Sequence, residues 1–144
     1  MVVTSPQSKQ DFDRYYQLRW EILRKPWGQP KGSEVTTEED SCIHAMVLAD
    51  SGEILGVARL QFNSPQTAQV RFVAVAQQAQ GKGVGKLLME YLEKVAKEKG
   101  ATEVVLDARE NAVPFYKKIN YQVTEKTYLL FNEIQHYRMV KKLL

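Results

Sequence analysis

The sequence predicts a single domain of mixed α/β (α+β) class, and three observations support that prediction. Three short apolar runs follow one another between residues 42 and 76, separated by turn residues, as in neighbouring strands. The hydrophobic period changes to that of a helix after residue 83. Strand-like and helical runs then alternate to the end of the chain. A sheet layer packed against helices accounts for all of these segments.

The first 40 residues are predicted to contain one short strand, one helix and a loop. Val2 and Val3 begin the strand, and Ser8 with Asp11 has the spacing of a helical capping box. Apolar residues then recur at helical spacing over residues 12–23, until Pro26 ends the helix. The glycines and prolines that follow predict a loop.

The centre of the chain is predicted to form an antiparallel meander and then a helix. Its strands are residues 42–49, 54–62 and 69–76, joined by turns that contain Gly or Pro. Leu87, Leu88, Tyr91, Leu92 and Val95 share one face of a helix that Gly100 ends. The remaining elements are a strand at 104–108, a helix that begins near Pro114, and two strands at 121–131 and 134–140.

Composition narrows the functional classes. The chain has 144 residues, of which 44% are apolar and 26% charged, which is typical of one globular domain. A net charge of +3, with the lysines scattered, is far from the footprint of a nucleic-acid-binding protein. Cys42 is the only cysteine, and no apolar run is long enough to span a membrane. With no signal-peptide pattern at the N-terminus, we expect a cytoplasmic protein without nucleic-acid or membrane partners.

Three alternating glycines are the most informative local feature. Gly81, Gly83 and Gly85 lie between a predicted strand and a predicted helix. The first amides of a helix have no internal partner and point along the positive end of the helix dipole, so they form an anion site. Glycine lets the backbone approach a bulky phosphate group. We therefore expect a phosphate-bearing ligand at residues 81–86.

Two common nucleotide motifs do not fit this segment. A Walker A loop requires a glycine where this chain has Gln80, and a Ser or Thr where it has Leu87. A Rossmann fingerprint requires the spacing G-x-G-x-x-G within a parallel βαβ unit, whereas this spacing is G-x-G-x-G after antiparallel strands. A purely structural glycine turn is the other interpretation.

The same segment resembles a motif of the GNAT (GCN5-related N-acetyltransferase) superfamily. Residues 80–85, QGKGVG, match its Q/R-x-x-G-x-G/A pattern, and RFVAV at 71–75 is similar to its fourth strand. NAVPFYKKINY at 111–121 is similar to its Asn…Phe-Tyr segment. The resemblance covers residues 42–140, and the C-terminal hairpin is similar to that of a small, poorly characterised bacterial-type subgroup.

The resemblance implies a mostly antiparallel sheet whose fourth and fifth strands splay apart to admit acetyl-CoA. The amides of 81–86 would take the pyrophosphate, the backbone of 73–75 would pair with the pantetheine arm, and Asn111 would contact the cofactor. The implied cofactor-binding residues are Val73, Ala74, Val75, Gln80, Gly81, Lys82, Gly83, Val84, Gly85, Lys86, Asn111 and Tyr116. No metal is implied.

The resemblance also suggests catalytic residues. Tyr116 would lie near the thioester sulfur and serve as the acid for the leaving thiolate. Asp107, at the end of the predicted fifth strand, is the candidate base. Related acyltransferases often have more residues between this strand and the tyrosine, so the short segment interrupted by Pro114 could place the ring differently.

Other residues have weaker claims to a functional role. His44 is expected on one face of its strand, while Glu133 or His136 could border the acceptor site. The acidic residues 38–40 are expected to be solvated, although they could attract an amine. Arg71 is expected to pair with an acid across the sheet, and a role in ligand binding is the alternative. Cys42 has no spacing that supports a nucleophilic role.

The predicted function is an acetyl-CoA-dependent N-acetyltransferase that moves an acetyl group to a primary amine by direct attack. The alternatives are a non-catalytic acyl-CoA sensor or partner-binding module of the same fold, and a nucleotide-binding protein. The acceptor stays open between small molecules and peptides. Homodimers are common in the family, so a homodimer is a further expectation.

Overall fold

The computed structural model describes all 144 residues as one seven-stranded sheet and three α-helices. The strands are β1 (Val2–Thr4), β2 (Ile43–Leu48), β3 (Ile54–Phe62), β4 (Thr67–Val75), β5 (Glu103–Arg109), β6 (Gln122–Leu130) and β7 (Ile134–Lys142). The helices are α1 (Lys9–Leu23), α2 (Val84–Glu98) and α3 (Val113–Lys118). The predicted mixed α/β class is confirmed.

Helix boundaries follow the local signals in the sequence. The Ser8 side chain accepts a hydrogen bond from the Asp11 amide, and the Asp11 carboxylate accepts one from the Ser8 amide, which completes the capping box. Helix α1 ends at Leu23, before Pro26, which lies in a 3₁₀ turn at Lys25–Trp27. Pro114 lies in the first turn of α3, where its missing N–H costs nothing.

The sheet has the strand order β1-β2-β3-β4-β5-β7-β6. Every neighbouring pair is antiparallel except β4 and β5, which run parallel. The predicted meander is therefore β2-β3-β4. The last strand, β7, lies between β5 and β6, so it continues the sheet next to β5.

Strands β4 and β5 diverge soon after they begin. Their register contains only the pairs Thr67 with Glu103, Ala68 with Val104 and Gln69 with Val105. Beyond Gln69 the two strands no longer pair, although β4 continues to Val75 and β5 to Arg109. The predicted splay is confirmed, and it leaves two facing backbone edges available to a ligand.

The two faces of the sheet carry different helices. A Cβ atom on Gly56 would lie 2.5 Å from Cγ1 of Val84, so α2 packs tightly on the face to which Gly56 belongs. Tyr15 of α1 instead contacts His44, which lies opposite Arg59 in the register of β2 and β3. Because side chains alternate along a strand, Arg59 lies on the opposite face from Gly56. We call these the α2 face and the α1 face.

The same alternation continues across the splay. Arg71 lies opposite Arg59 in the register of β3 and β4 and therefore also belongs to the α1 face. Val105 is level with Gln69, two residues before Arg71, which places Asp107 and Arg109 on this face as well. No helix of the structure is long and apolar enough to cross a membrane.

Candidate active site

A cleft of about 340 Å³ lies between the diverging strands. Residues 69–73 of β4 form one wall and residues 106–109 of β5 form the other. Tyr116 of α3, His136 of β7 and Tyr128 of β6 complete the lining, together with the C-terminal end of α1. The splay therefore brings residues from six separate elements into one site.

Tyr116 is buried, and its side chain lines the cleft. Its hydroxyl makes no hydrogen bond to another protein group, although the ring packs edge-on against Phe115 and Tyr121. Burial raises the pKa of Tyr116 well above its ordinary value of 10.0. The hydroxyl therefore stays protonated at neutral pH and is free to donate a hydrogen bond to a ligand in the cleft.

The glycine segment presents a run of free backbone amides before helix α2. None of the amides from Gly81 to Lys86 donates a hydrogen bond within the protein, and Leu87 is the first to do so, to the carbonyl of Gly83. Gly81 and Gly83 have φ values of +78° and +85°, which residues with a side chain rarely adopt. A Cβ on either glycine would have no neighbour within 4 Å, so the space around them is open to a ligand.

Gly85 has a different role from the other two glycines. A Cβ on this residue would lie 3.1 Å from Cζ of Phe115, so the absence of a side chain allows α3 to pack against the start of α2. Phe115 is the residue before Tyr116. Val84 is buried against Gly56, which leaves only its amide for a ligand.

The other predicted cofactor-binding residues are accessible to different degrees. Lys82 and Lys86 are exposed beside the free amides, and Asn111 is exposed on the 3₁₀ turn before α3. The Gln80 side chain is 3.4 Å from the Val75 carbonyl, which ties the loop to the end of β4. The residues 73–75 lie on the part of β4 that has left β5, and of these Val73 lines the cleft.

A β-bulge interrupts β4 next to the cleft. Val57 pairs with Ala74 and Arg59 pairs with Arg71, so two residues of β4 lie opposite one residue of β3. The first of these two, Phe72, has a φ of +56°, which is unusual for a residue other than glycine. Bulges of this kind redirect a strand and free local backbone groups.

Asp107 lies in the wall of the cleft but is held by a neighbour. The guanidinium of Arg138 donates to both carboxylate oxygens, at 2.7 and 3.2 Å. The two residues face each other in the register of β5 and β7. This bidentate pairing gives Asp107 a clear structural role in joining the two strands.

His136 also lies in the wall of the cleft, and one of its two ring nitrogens has no hydrogen-bond partner. Its Nδ1 is 3.0 Å from the Ile134 carbonyl, and because a carbonyl can only accept, Nδ1 carries the proton. Nε2 then has an unshared lone pair and no hydrogen-bond partner. The ring stacks on Tyr128 at 4.4 Å, and burial lowers the pKa of His136 below its ordinary 6.5. The neutral form, which can accept a proton, is thus favoured at neutral pH.

The expectation that residues 38–40 are solvated is wrong for Glu39. Its side chain is only 6% exposed and accepts hydrogen bonds from Arg19 at 2.8 Å and Arg59 at 2.9 Å. Burial alone would raise the pKa of Glu39, but hydrogen bonds from Arg19 and Thr36 and the two guanidinium charges lower it. A sequence signal existed, because Arg19 falls on the apolar face of α1.

His44 and Cys42 belong to the surroundings of this buried pairing. The His44 ring lies between the Tyr15 hydroxyl and the Glu39 carbonyl, each at 2.8 Å. Burial lowers the pKa of His44 and raises that of the Cys42 thiol. Neither residue lines the cleft between β4 and β5.

The expected acid partner of Arg71 is also absent. The residue lies opposite Arg59, not opposite a carboxylate, and it lines the cleft. Arg24 and Arg109 line the same cleft, although neither was predicted from the sequence as a site residue. Arg24 directly follows α1 and Arg109 ends β5, and only the fold brings these two positions together.

Comparisons with known proteins agree with this geometry. The family model described as the acetyltransferase (GNAT) family matches residues 12–121. This chain belongs to the GNAT family. The match includes the glycine loop, both strands of the splay and Tyr116, so the chain is an acyltransferase of GNAT type, a family that uses acetyl-CoA.

Relatives and solved structures support the GNAT assignment. The chain is 31% identical over 90% of its length to an uncharacterized N-acetyltransferase, YjcF, from Bacillus subtilis (strain 168), and covers 90% of that protein. It superposes on an aminoglycoside 6'-N-acetyltransferase complexed with coenzyme A with a TM-score of 0.82, at 16% identity, covering 100% of this chain and 98% of the other. An IAA acetyltransferase from Bacillus cereus ATCC 14579 gives a TM-score of 0.80 at 19% identity, with 99% of each chain covered.

Proposed function

We propose that this GNAT protein transfers the acetyl group of acetyl-CoA to a primary amine by direct attack within a ternary complex. The observation that carries the proposal is the cleft between β4 and β5, with the free hydroxyl of Tyr116 in its wall. Two unpaired strand edges suit an extended amide-containing arm, which pairs as an added strand does. The free amides of 81–86 suit a pyrophosphate.

In this proposal the cofactor lies along β4. Its pyrophosphate accepts hydrogen bonds from the amides of Gly81 to Lys86, with Lys82 and Lys86 adding positive charge. Its pantetheine arm pairs with the backbone of residues 73–75, and Asn111 contacts the arm from the turn before α3. Gln80 supports the loop through the Val75 carbonyl.

The reaction requires no covalent enzyme intermediate. The neutral amine attacks the thioester carbonyl carbon, a C–N bond forms, and the tetrahedral oxyanion collapses with cleavage of the C–S bond. Backbone amides freed by the bulge at Phe72 are suitable donors to the oxyanion. Holding both substrates in one cleft supplies proximity and orientation.

Tyr116 acts on the leaving group. Because burial raises the pKa of Tyr116, the hydroxyl reaches the reaction protonated. The same raised pKa makes complete loss of the proton costly, so the main contribution is a hydrogen bond donated to sulfur as its negative charge develops. Solvent or the amine proton then neutralises the thiolate.

The proton of the attacking amine has two candidate acceptors. Asp107 was predicted from the sequence, and its carboxylate lies in the cleft wall, but both oxygens accept hydrogen bonds from Arg138. His136 has a free Nε2 and is neutral at neutral pH. The geometry favours His136 as the base, with Asp107 as the residue that positions β7 beside β5.

A screen of primary amines tests the proposal. Release of free thiol from acetyl-CoA is followed with single amines, aminoglycosides, polyamines and peptides, and each product is identified by its mass gain. Initial rates with both substrates varied are expected to give intersecting double-reciprocal lines. Parallel lines would contradict direct attack. Binding of acetyl-CoA with no thiol release from any amine would support the sensor alternative.

A further inference from the structure

Three arginines in the cleft have no carboxylate partner. Arg24, Arg71 and Arg109 all line it, and none takes part in an ion pair. All three are partly buried. A guanidinium that has lost part of its hydration without gaining a carboxylate is an energetic cost, which a bound anion would remove.

These three groups are close to one another. Nη1 of Arg24 and Nη2 of Arg109 each donate to the carbonyl oxygen of Leu23 at 3.2 Å, so the two nitrogens are at most 6.4 Å apart. Cζ of Arg71 and Cζ of Arg24 lie 4.7 and 5.7 Å from the centre of the Phe72 ring. Burial lowers the pKa of Arg109, and the charge of Arg24 lowers it further. Like charges thus converge on one part of the cleft.

The carboxylates nearby do not neutralise Arg24, Arg71 and Arg109. Glu39 is shared between Arg19 and Arg59, Asp107 is bound by Arg138, and the Glu34 carboxylate accepts from the Gly32 amide. The charged side chains that line the cleft are Arg24, Arg71, Arg109 and Asp107. Outside it, a hydrogen bond with Thr36 and the charges of Arg59 and Arg71 lower the pKa of the exposed Glu38, which forms no ion pair with either arginine. Because Asp107 is already bound by Arg138, the three lining arginines leave an excess of positive charge in the cleft.

The phosphates of the cofactor are too far away to account for these arginines. Arg71 precedes Val75, the last residue of β4, by four positions, which is about 13 Å along an extended strand. The free amides proposed for the pyrophosphate begin beyond that point, at Gly81, and no residue of the glycine loop lines the cleft. The arginines belong to the part of the cleft that the acceptor must enter.

We propose that the acceptor amine carries an oxyanion group, a carboxylate or a phosphate, which Arg24, Arg71 and Arg109 bind while the amine faces the thioester. This inference rests on the proposed acetyl transfer and specifies its substrate class. Guanidinium groups bind carboxylate and phosphate through paired N–H donors, which gives orientation as well as affinity. The positive potential of these three arginines repels amines that carry further positive charges.

The arginines also help the chemistry at the amine. A primary amine has a pKa of about 10.4 and is mostly protonated at pH 7, and only its neutral form attacks. Positive charge near the bound ammonium lowers its pKa and favours loss of the proton. The oxyanion of the acceptor secures binding, while the excess charge of the cleft promotes deprotonation of the amine.

A matched set of amines that share a two-carbon spacer tests the proposal. Acetylation rates are compared for β-alanine and β-alaninamide, and for 2-aminoethyl phosphate and ethanolamine, with an aminoglycoside as the polycationic probe. The first pair isolates a carboxylate and the second a phosphate. We expect kcat/KM to be at least tenfold higher for the anionic member of one or both pairs. Equal or better acetylation of the neutral members or of the aminoglycoside would overturn the proposal.

Variants of Arg71 connect that preference to the cleft. Arg71→Gln is expected to reduce the anionic preference at least tenfold, mainly by raising KM, and Arg71→Lys is expected to retain part of it. Arg14→Gln, on an exposed position of α1, is the matched control and is expected to leave the preference unchanged. An unaltered preference in Arg71→Gln with wild-type Tm would contradict the assignment, and Arg109→Gln replaces it if Tm falls.

A binding measurement separates failure of this inference from failure of the proposed reaction. Inorganic phosphate is added to the CoA-saturated protein at constant ionic strength, and Tm is followed. We expect phosphate to raise Tm of the wild type but not of Arg71→Gln. An equal response in both proteins overturns the anion site. Absence of thiol release from every amine, with a phosphate response that needs Arg71, rejects the acetyl transfer and keeps the anion site.

Discussion

The two faces of the sheet meet at the cleft, and the ligand sites proposed on them differ in kind. The α2 face is apolar, and the site next to it consists of backbone: free amides at Gly81 to Lys86 and open strand edges. The α1 face is charged, and the site proposed there consists of side chains from β4, β5, β7 and the residue that follows α1. A backbone site suits a ligand common to a whole family, whereas a side-chain site can change its specificity by substitution.

The largest effect is expected on stability, from the centre of the α1 face. Glu39→Gln removes the charge that Arg19 and Arg59 share, which leaves two buried guanidinium groups without a counter-ion. Breaking a buried pairing in this way typically costs about 3–5 kcal/mol. Urea denaturation measures the change, and Glu38→Gln is the control because that side chain is exposed. Similar midpoints for the two variants would show that the buried pairing contributes little.

The next largest effect distinguishes the two candidate bases. His136→Gln is expected to lower kcat about 100-fold, the lower end of the range for general bases, with little change in Tm. Asp107→Asn is expected to lower the free energy of unfolding by about 1–3 kcal/mol, since it weakens a charged hydrogen-bonded pair. The opposite result, a large kcat loss at wild-type Tm in Asp107→Asn alone, would make Asp107 the base.

On the opposite side of the cleft, Tyr116→Phe removes one hydroxyl and keeps the ring. We expect turnover to fall tenfold or more at saturating substrates, because the departing sulfur loses its hydrogen-bond donor. The Kd for CoA is expected to stay the same. Tyr121→Phe is the matched control, because the Tyr121 hydroxyl is occupied by Glu93 at 2.8 Å. Unchanged turnover in Tyr116→Phe would remove this tyrosine from the mechanism.

A pair of glycine substitutions tests the backbone site on the α2 face. Gly83 and Gly52 have φ values of +85° and +88°, and a Cβ on either would meet nothing within 4 Å. Alanine at either position is therefore expected to lower the free energy of unfolding by about 1–2 kcal/mol through backbone strain. Only Gly83→Ala is expected to raise KM for acetyl-CoA, by about tenfold. A rise in both variants would mean that strain alone is responsible.

The last prediction concerns pH and the α1 face, where both histidines lie. Burial lowers the pKa of His44 and of His136 below the ordinary value of 6.5, so the unfolded chain binds more protons than the folded one as pH falls. The free energy of unfolding is therefore expected to decrease from pH 7.5 to pH 5.5, by at most about 1.4 kcal/mol per pH unit for each histidine. His136→Gln is expected to flatten this dependence in chemical denaturation. Equal slopes would show that His136 contributes none of it.

The same contrast explains what the sequence could predict. The capping box at Ser8, the helix after Gly83 and the strands of the meander depend on local patterns, and these predictions are confirmed. The glycine loop was identifiable because its free amides are consecutive in the chain. The splay was expected only from the family resemblance, since pairing between β4 and β5 depends on the packing of the whole sheet.

The charged face was largely hidden from sequence analysis. Arg24, Arg71 and Arg109 are 38 to 85 residues apart, and nothing in their local patterns connects them. The burial of Glu39 likewise depends on Arg19 and Arg59, which lie 20 residues away in opposite directions along the chain. Pairings of this kind are decided by tertiary structure, so local composition gave the wrong expectation for the acidic residues 38–40.

The contact between Gly85 and Phe115 has a consequence for the evolution of this chain. The ring of Phe115 occupies the space that a side chain at position 85 would need, and the next residue is Tyr116. A side chain at position 85 requires the Phe115 ring to shift, so we expect a larger residue at position 85 to be accompanied by a smaller one at position 115. Substitutions in the glycine loop and in α3 are therefore expected to be coupled.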